Sequence, residues 1–154
     1  SWMRVPETTI PAIVAREAES GGRVVYLAGD IDRCYGQRAL PDHGELLANA
    51  VRWAVRDDLP FTVEGAGEFD CHLYRQENRL VMHIVNITGA NHAPGYLEEN
   101  IAVGPVHARI KVPEGMSITS ARNLREGKTT LEPGKREAVV NIESIVDFAV
   151  IVLE

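Results

Sequence analysis

The sequence predicts a mainly β protein with a small α/β part at its amino-terminal end. One helix-like apolar pattern lies in the first third of the chain, and short alternating patterns fill the rest. Stretches containing Pro or Gly separate these alternating runs, an arrangement typical of an antiparallel β-sandwich. We therefore expect an α/β segment over residues 1–58, made of a β-hairpin and one helix, and an antiparallel β-sandwich over residues 59–154.

Composition places the chain among globular proteins and disfavours two kinds of partner. Its 154 residues are 45% hydrophobic and 25% charged, close to the average for globular domains. A chain of this length buries about 70% of its unfolded surface. The net charge of −6 argues against nucleic acid, which requires a basic surface. No apolar run is long enough to span a bilayer and no signal peptide is visible, so we expect no membrane partner.

The first two elements are predicted as a hairpin. Residues 9–18 and 23–28 flank the turn "ESGG", and the second run, "RVVYLA", is apolar at nearly every position. Such a run suits a strand covered on both faces. This segment has too few elements to cover both, so we expect the sandwich, another subunit or an upstream segment to do so. The chain begins Ser1-Trp2-Met3, and we accordingly expect a piece of a longer protein.

The stretch "GDIDRCYGQRALPDHG", residues 29–44, is predicted as a loop that leads into the helix. Asp42, with Glu45 three residues later, resembles a capping box and sets the predicted start of the helix. An apolar face then recurs at helical spacing. Its members are Leu46, Leu47, Ala50, Val51, Ala54 and Val55.

Strand patterns begin after the break at residues 57–60. Residues 68–76 and 79–88 predict a hairpin around Glu77-Asn78. A two-residue turn at that position would place Cys71 opposite Ile84 and His72 opposite His83. Further strands are predicted over residues 106–112, 116–124, 138–142 and 148–153.

Two long stretches of the sequence resemble a known family. "PAIVAREAESGGRVVYLAGDIDR" and "LPDHGELLANAVRWAV" are similar to the last strands and helix of glutamine-amidotransferase-like domains of flavodoxin-like architecture. Such domains occur in trehalose-utilisation (ThuA-like) proteins and as the trimerisation domain of certain β-galactosidases. With the "AGDIDR" loop and the trailing "FDCHLYRQENRLVMHIVNITG", the chain looks most like bacterial fucosidase-like glycoside hydrolases. The resemblance covers most of residues 11–88 and, more loosely, the later strands.

The resemblance implies an accessory role. Proteins of this type carry a catalytic (β/α)₈ barrel, then the amidotransferase-like domain, then a carboxyl-terminal β-sandwich. The segment that holds the barrel carboxylates has no counterpart in this sequence, so no catalytic machinery is expected in the chain, although the parent protein would be a glycoside hydrolase. The implied partners are upstream domains and further copies of the chain. The implied location is the bacterial cytoplasm, but the sequence itself leaves the compartment unknown.

The 29–44 stretch offers the first candidate ligand-binding group. Asp30, Asp32 and Arg33, with Asp42 and His43, would supply an acid–base set, and glycosidases do need two carboxylates about 5–9.5 Å apart. The sequence identifies no second wall for a sugar pocket. We therefore favour a structural role in which Asp30, Asp32 and Arg33 close the end of the strand through hydrogen bonds and ion pairs.

Other candidates lie in the sandwich. His72 and His83, as cross-strand neighbours, are weak candidates for a metal site, because zinc requires three or four ligands. We favour two histidines on a polar face, and we expect neither metal nor cofactor. Tyr74 and Trp53 would stack on sugars, or else complete a core or an interface. Cys34 and Cys71 occupy no CxxC spacing and are expected as reduced thiols.

The loop "GANHAPGYLEEN" is the best candidate for ligand contact in the sandwich, through His92 and Tyr96. Motifs for nucleophilic catalysis or phosphate binding (GxSxG, P-loop, GxGxxG) are missing from the sequence. Three hypotheses follow. The favoured one is a non-catalytic accessory region that supports domain packing and oligomerisation. The alternatives are a carbohydrate-binding module acting through the sandwich loops and an independent hydrolase.

Overall fold

A computed structural model describes residues 8–89, 99–125 and 127–154. The chain divides into two compact units, Ser1–Leu59 and Pro60–Glu154. This division falls one residue beyond the boundary expected from the sequence. None of the helices in the described ranges has the length and apolar character required to cross a membrane.

The first unit contains a two-stranded antiparallel sheet and, in its described part, two helices. The strands are β1 (Ile13–Glu17) and β2 (Arg23–Leu27), and the helices are α1 (Ile31–Arg38) and α2 (Pro41–Ala54). The hairpin is confirmed, but the expectation of a single helix is wrong, because most of the stretch predicted as a loop forms α1.

The short helix α1 has local causes that a search for apolar periodicity misses. Asp32 lies in its first turn and Arg38 in its last, so both charges suit the helix dipole. The helix ends at Ala39, whose left-handed backbone (φ 47°) returns an N–H to the carbonyl of Tyr35. The ring of Tyr35 lies against Gly44 of α2. A Cβ atom at residue 44 would lie only 2.7 Å from that ring.

The start of α2 differs from the prediction. The helix is preceded by Leu40 and begins at Pro41, and no side chain caps it. Proline suits the first helical position, since its fixed φ is helical and its missing N–H would have no partner there. Asp42 therefore lies inside the first turn, where it favours the helix through its charge, and the predicted capping box is wrong.

The second unit is the predicted antiparallel sandwich. One sheet has the order β4-β5-β10-β7 and the other the order β3-β6-β9-β8. The eight strands are β3 (Phe61–Gly65), β4 (Phe69–Gln76), β5 (Arg79–Asn86), β6 (Val106–Lys111), β7 (Ala121–Asn123), β8 (Thr129–Glu132), β9 (Glu137–Ile142) and β10 (Phe148–Leu153).

A single apolar core lies between the two sheets. Alternate residues of the four central strands point inward, because side chains along a strand switch faces at every residue. These fully or almost fully buried residues are Leu80, Met82 and Ile84 of β5, Val106, Ala108 and Ile110 of β6, Ala138, Val140 and Ile142 of β9, and Ala149, Ile151 and Leu153 of β10. The sandwich therefore closes its own core.

The predicted register of the β4–β5 hairpin is confirmed, with Cys71 opposite Ile84 and His72 opposite His83. Strands β3 and β8 were not predicted from the sequence, and β7 is shorter than the predicted strand over residues 116–124. All three strands lie at sheet edges. An edge strand has one neighbour and is only partly covered, so its apolar alternation is short and weak.

We expect the core to be sensitive to cavities at β5. Replacing Ile84 by Ala should lower the free energy of unfolding of the full chain by about 2–5 kcal/mol, since the residue is completely buried. Ile87, three residues further on, is 37% exposed, and Ile87→Ala should cost about 1 kcal/mol or less. Urea denaturation of both variants measures the difference. Equal losses would contradict the placement of the core.

Candidate functional site

The hairpin of the first unit exposes one of its faces. Val14 pairs with Tyr26, and Arg16 pairs with Val24, so these four residues share one side of the two-stranded sheet. We call this surface the open hairpin face. Val14 is 41% exposed, Val24 63% and Tyr26 62%. The described elements of the first unit leave this face exposed, and the expectation that the sandwich, another subunit or an upstream segment covers it stays a prediction.

The opposite face of the hairpin meets α2. Arg23 places its guanidinium carbon 4.9 Å from the ring centre of Trp53 and donates to the Trp53 carbonyl oxygen at 3.1 Å. Glu17 accepts hydrogen bonds from Arg56 and from Arg23, and these bonds lower the pKa of its carboxyl group. Trp53 therefore packs between α2 and the hairpin. Of the two roles that the sequence left open, this contact favours packing over stacking on a sugar.

The apolar face of α2 is rotated from the predicted one. Leu46, Leu47, Ala50 and Ala54 are partly buried, together with Trp53. Val51 and Val55, which the helical spacing also assigned to this face, are exposed. Among residues 8–59 none is fully buried, so this part of the chain has apolar surface but no closed core.

The candidate group in the 29–44 stretch lies at the beginning of α1. Asp30 precedes the helix and forms an exposed ion pair with Arg33 at 2.7 Å, while Asp32 lies in the first turn. The ion pair is one of the contacts expected of the structural role, and that role itself stays a prediction. His43 in α2 has a buried Nδ1 atom that meets no hydrogen-bonding partner among the described atoms.

An aromatic cluster lies on the outer face of the β4–β5 hairpin. The ring of Tyr74 stacks near His72, with centroids 6.2 Å apart, and meets His83 edge-on at 5.6 Å. His72 Nε2 lies 3.2 Å from Asp70 Oδ1. Within residues 8–89, 99–125 and 127–154, three or more metal-ligating side chains do not come together at any point. The cluster therefore presents flat rings to solvent and lacks the ligand set of a zinc site.

A pocket lies at one end of the sandwich, where the β7–β8 and β9–β10 connections meet. We call it the end pocket. Its volume is about 480 Å³, which lies within the usual range for small-molecule sites. Its polar and aromatic lining comprises Asn100, Arg125, Ser144, Asp147 and Phe148.

Two contacts hold the charged groups of the end pocket. Arg125 donates to Asp147 Oδ2 at 2.7 Å and lies over the ring of Phe148, with its guanidinium carbon 4.4 Å from the ring centre. The backbone N–H of Phe148 makes the largest contribution to lowering the pKa of Asp147, and the backbone N–H of Asp147 itself and Arg125 lower it further, so this carboxylate is ionised at neutral pH. Sequence reasoning missed these residues, because they come together only through the packing of two separate loops.

The buried amide of Asn86 fixes the wall of the end pocket. Its Nδ2 donates to the carbonyl oxygens of Ile101 at 2.7 Å and Val146 at 2.8 Å, with a longer contact to Ile145 at 3.3 Å. Among the described residues, Asn86 is a polar residue with a buried side chain. Its position at the end of an apolar strand pattern was the feature of the sequence that could have predicted this buried amide. His92 and Tyr96 lie outside the described residues.

The comparisons with known proteins concern the fold. No protein-family model matches the sequence, and no curated protein matches it. Among solved structures, the chain is similar to α-L-fucosidase isoenzyme 2 from Paenibacillus thiaminolyticus, with a TM-score of 0.69 and 15% identity. The match covers 100% of this chain and 24% of that one, so the chain spans about a quarter of the fucosidase's length. At this identity the likeness establishes the mainly β fold with its small helical part.

Cys34 and Cys71 are both free, and Cys71 offers a test of the sandwich's packing. Burial in β4, and to a lesser degree the nearby charge of Asp70, raises the pKa of its thiol to about 11. At pH 8 only about one Cys71 in a thousand is then a thiolate, the reactive form. In a Cys34→Ser background, we expect alkylation by iodoacetamide to be slow at pH 8 and about tenfold faster with each pH unit up to pH 11.

The same protein unfolded in urea is the control, because its thiol should titrate near its ordinary pKa. Similar rates in the folded and unfolded protein at pH 8 would contradict the burial of Cys71.

Proposed function

We propose that the chain is a non-catalytic accessory region of a glycoside-hydrolase-like protein. In this role the first unit uses its open hairpin face for packing against neighbouring domains of the parent polypeptide and against further copies of the chain. The sandwich supports this unit as an independently closed domain. The finer assignment of the first unit to an amidotransferase-like, trimerisation-type domain belongs to this proposal and rests on the sequence resemblance.

One observation carries the proposal. Val14, Val24 and Tyr26 form a contiguous exposed apolar surface in a unit whose described residues include none that is fully buried. Full burial of a side chain of this size contributes about 1.5–3 kcal/mol. A hairpin and two helices that leave such a surface in water gain little stability, and covering the face by another surface would supply it.

The structural neighbour supports the same role. The fold of the whole chain recurs within a longer polypeptide, an α-L-fucosidase, most of which lies outside the match. In the chain itself, Asp30 and Asp32 lie on the exposed start of a helix, and Asp30 is engaged by Arg33. This placement favours the structural role of these carboxylates over acid–base catalysis, which requires carboxylates that face a substrate.

The end pocket favours a second candidate function, that of a carbohydrate-binding module acting through the sandwich loops. The sequence pointed to this function through His92 and Tyr96. The described part of the chain supports it through different residues, those that line the end pocket.

For the packing role, the isolated chain should associate through the open hairpin face as its concentration rises. The double variant Val24→Lys, Tyr26→Lys places two charges on that face and should remain monomeric, because burial of unpaired charges is unfavourable. Light scattering over a concentration series measures the mass of each protein.

Leu124→Lys is the matched control. Leu124 is 52% exposed and lies in the sandwich, away from the hairpin residues in sequence, and its replacement should leave association unchanged. A strictly monomeric wild-type chain at high concentration would count against the oligomer part of the proposal. Equal association of the double variant would count against the hairpin face.

A further inference from the structure

We propose that the end pocket is a binding site for a neutral saccharide, with Arg125, Asn100 and Ser144 as the groups that recognise its hydroxyls. The inference rests on the second candidate function, carbohydrate binding, and is independent of the packing role. It narrows the ligand to a neutral saccharide and names recognition residues other than His92 and Tyr96, to which the sequence pointed.

The pocket is held in shape before any ligand arrives. Asn86 ties the segment around Ile101 to the connection at Val146, and the N–H of Asn86 itself donates to the Asp147 carbonyl at 2.8 Å. On the other wall, the N–H of Arg125 donates to Asn123 Oδ1 at 3.1 Å, which fixes the turn after β7. A site with a fixed frame loses little conformational entropy on binding.

The guanidinium of Arg125 is immobilised by two different partners. The ring of Phe148 supports one face, and Asp147 accepts from one of its terminal nitrogens. A guanidinium has five N–H donors in a planar fork. Among the described residues these contacts occupy one nitrogen and one face, and the inference assigns the donors at the edge of the group to a ligand in the pocket.

The chemistry of the lining selects a neutral ligand rich in hydroxyls. Among the described lining residues, the charges of Arg125 and Asp147 compensate each other at 2.7 Å, so this pair favours a neutral ligand over a charged one. The amide of Asn100 and the hydroxyl of Ser144 both donate and accept, as sugar hydroxyls do. Val146, which is exposed, supplies an apolar surface for the C–H groups of a sugar ring. A volume of about 480 Å³ has room for one or two sugar rings.

The test uses the full 154-residue chain, titrated with the methyl glycosides of galactose, glucose and fucose while its backbone amide NMR signals are followed. We expect a dissociation constant on the order of 1 mM for at least one of them, with the largest shifts at residues 123–127 and 144–148. Arg125→Ala should weaken binding about 10- to 100-fold, because it removes charge-assisted hydrogen bonds. Ser144→Ala, a smaller change with little risk to folding, should weaken it several-fold.

Arg79→Ala is the matched control. Arg79 is another partly exposed arginine in an ion pair, with Glu154 at 3.6 Å, but it lies at the opposite end of β5 from the pocket. The Arg79→Ala variant should bind the methyl glycosides with the same affinity as the wild-type chain.

Three outcomes would overturn the inference, and they differ in what else they reject. Binding that survives both Arg125→Ala and Ser144→Ala, with shifts at Tyr74 or elsewhere, would retain the carbohydrate-binding module but reject this pocket. Much tighter, salt-sensitive binding of methyl glucuronide would reject a neutral ligand. If no glycoside binds, both the pocket and the module fail, whereas the packing role, tested by light scattering, is unaffected.

Discussion

The faces of a β-sheet must be covered by another apolar surface or carry side chains that tolerate water, and this constraint governs both units of the chain. In the sandwich, strict alternation directs Met82, Ile110, Val140 and Ile151 into one shared core. Each sheet covers the inner face of the other. In the first unit, the helix α2 meets one face of the two-stranded hairpin, while Val24 and Tyr26 on the other face are exposed. The requirement to cover apolar sheet faces is therefore met within the sandwich, whereas the open hairpin face of the first unit leaves it unmet among the described residues.

The closed sandwich and the exposed hairpin therefore offer different kinds of surface to a partner. The described strands of the sandwich close its core between the two sheets, so the proposed ligand contacts at its outer surface and end pocket would leave that core unchanged. The open hairpin face has the opposite character, because its apolar residues gain free energy when something covers them. This difference between the two units is the physical basis of the accessory role proposed above. A fold shared at 15% identity leaves the chemistry of the whole protein to be established from its own sites.

Elements with strong periodicity could be predicted from the sequence, and elements that depend on neighbours could not. The β4–β5 register followed from the two-residue turn at Glu77-Asn78, and β6 from its unbroken alternation. In contrast, α1 is short and mostly polar, with helical apolar spacing over a single turn, and the contact of its Tyr35 with Gly44 depends on how α2 packs against it. The end pocket was equally inaccessible, since Arg125 and Asp147 lie 22 positions apart and meet only when two loops pack. The capping box predicted from Asp42 and Glu45 does not form. The helix begins one residue earlier, at Pro41, because proline suits the first helical turn.

The central claim is that the described part of the first unit, residues 8–59, has no closed core of its own. Hydrogen–deuterium exchange of the full chain, at a concentration where light scattering shows a monomer, tests it most directly. Amides in Ile13–Glu17 and Arg23–Leu27 should exchange at least about a hundredfold faster, relative to their intrinsic rates, than those in β5 and β10, because few buried contacts oppose local opening. Protection of the hairpin equal to that of the sandwich strands would show that the unit is stable with its apolar face in water, and would contradict the claim.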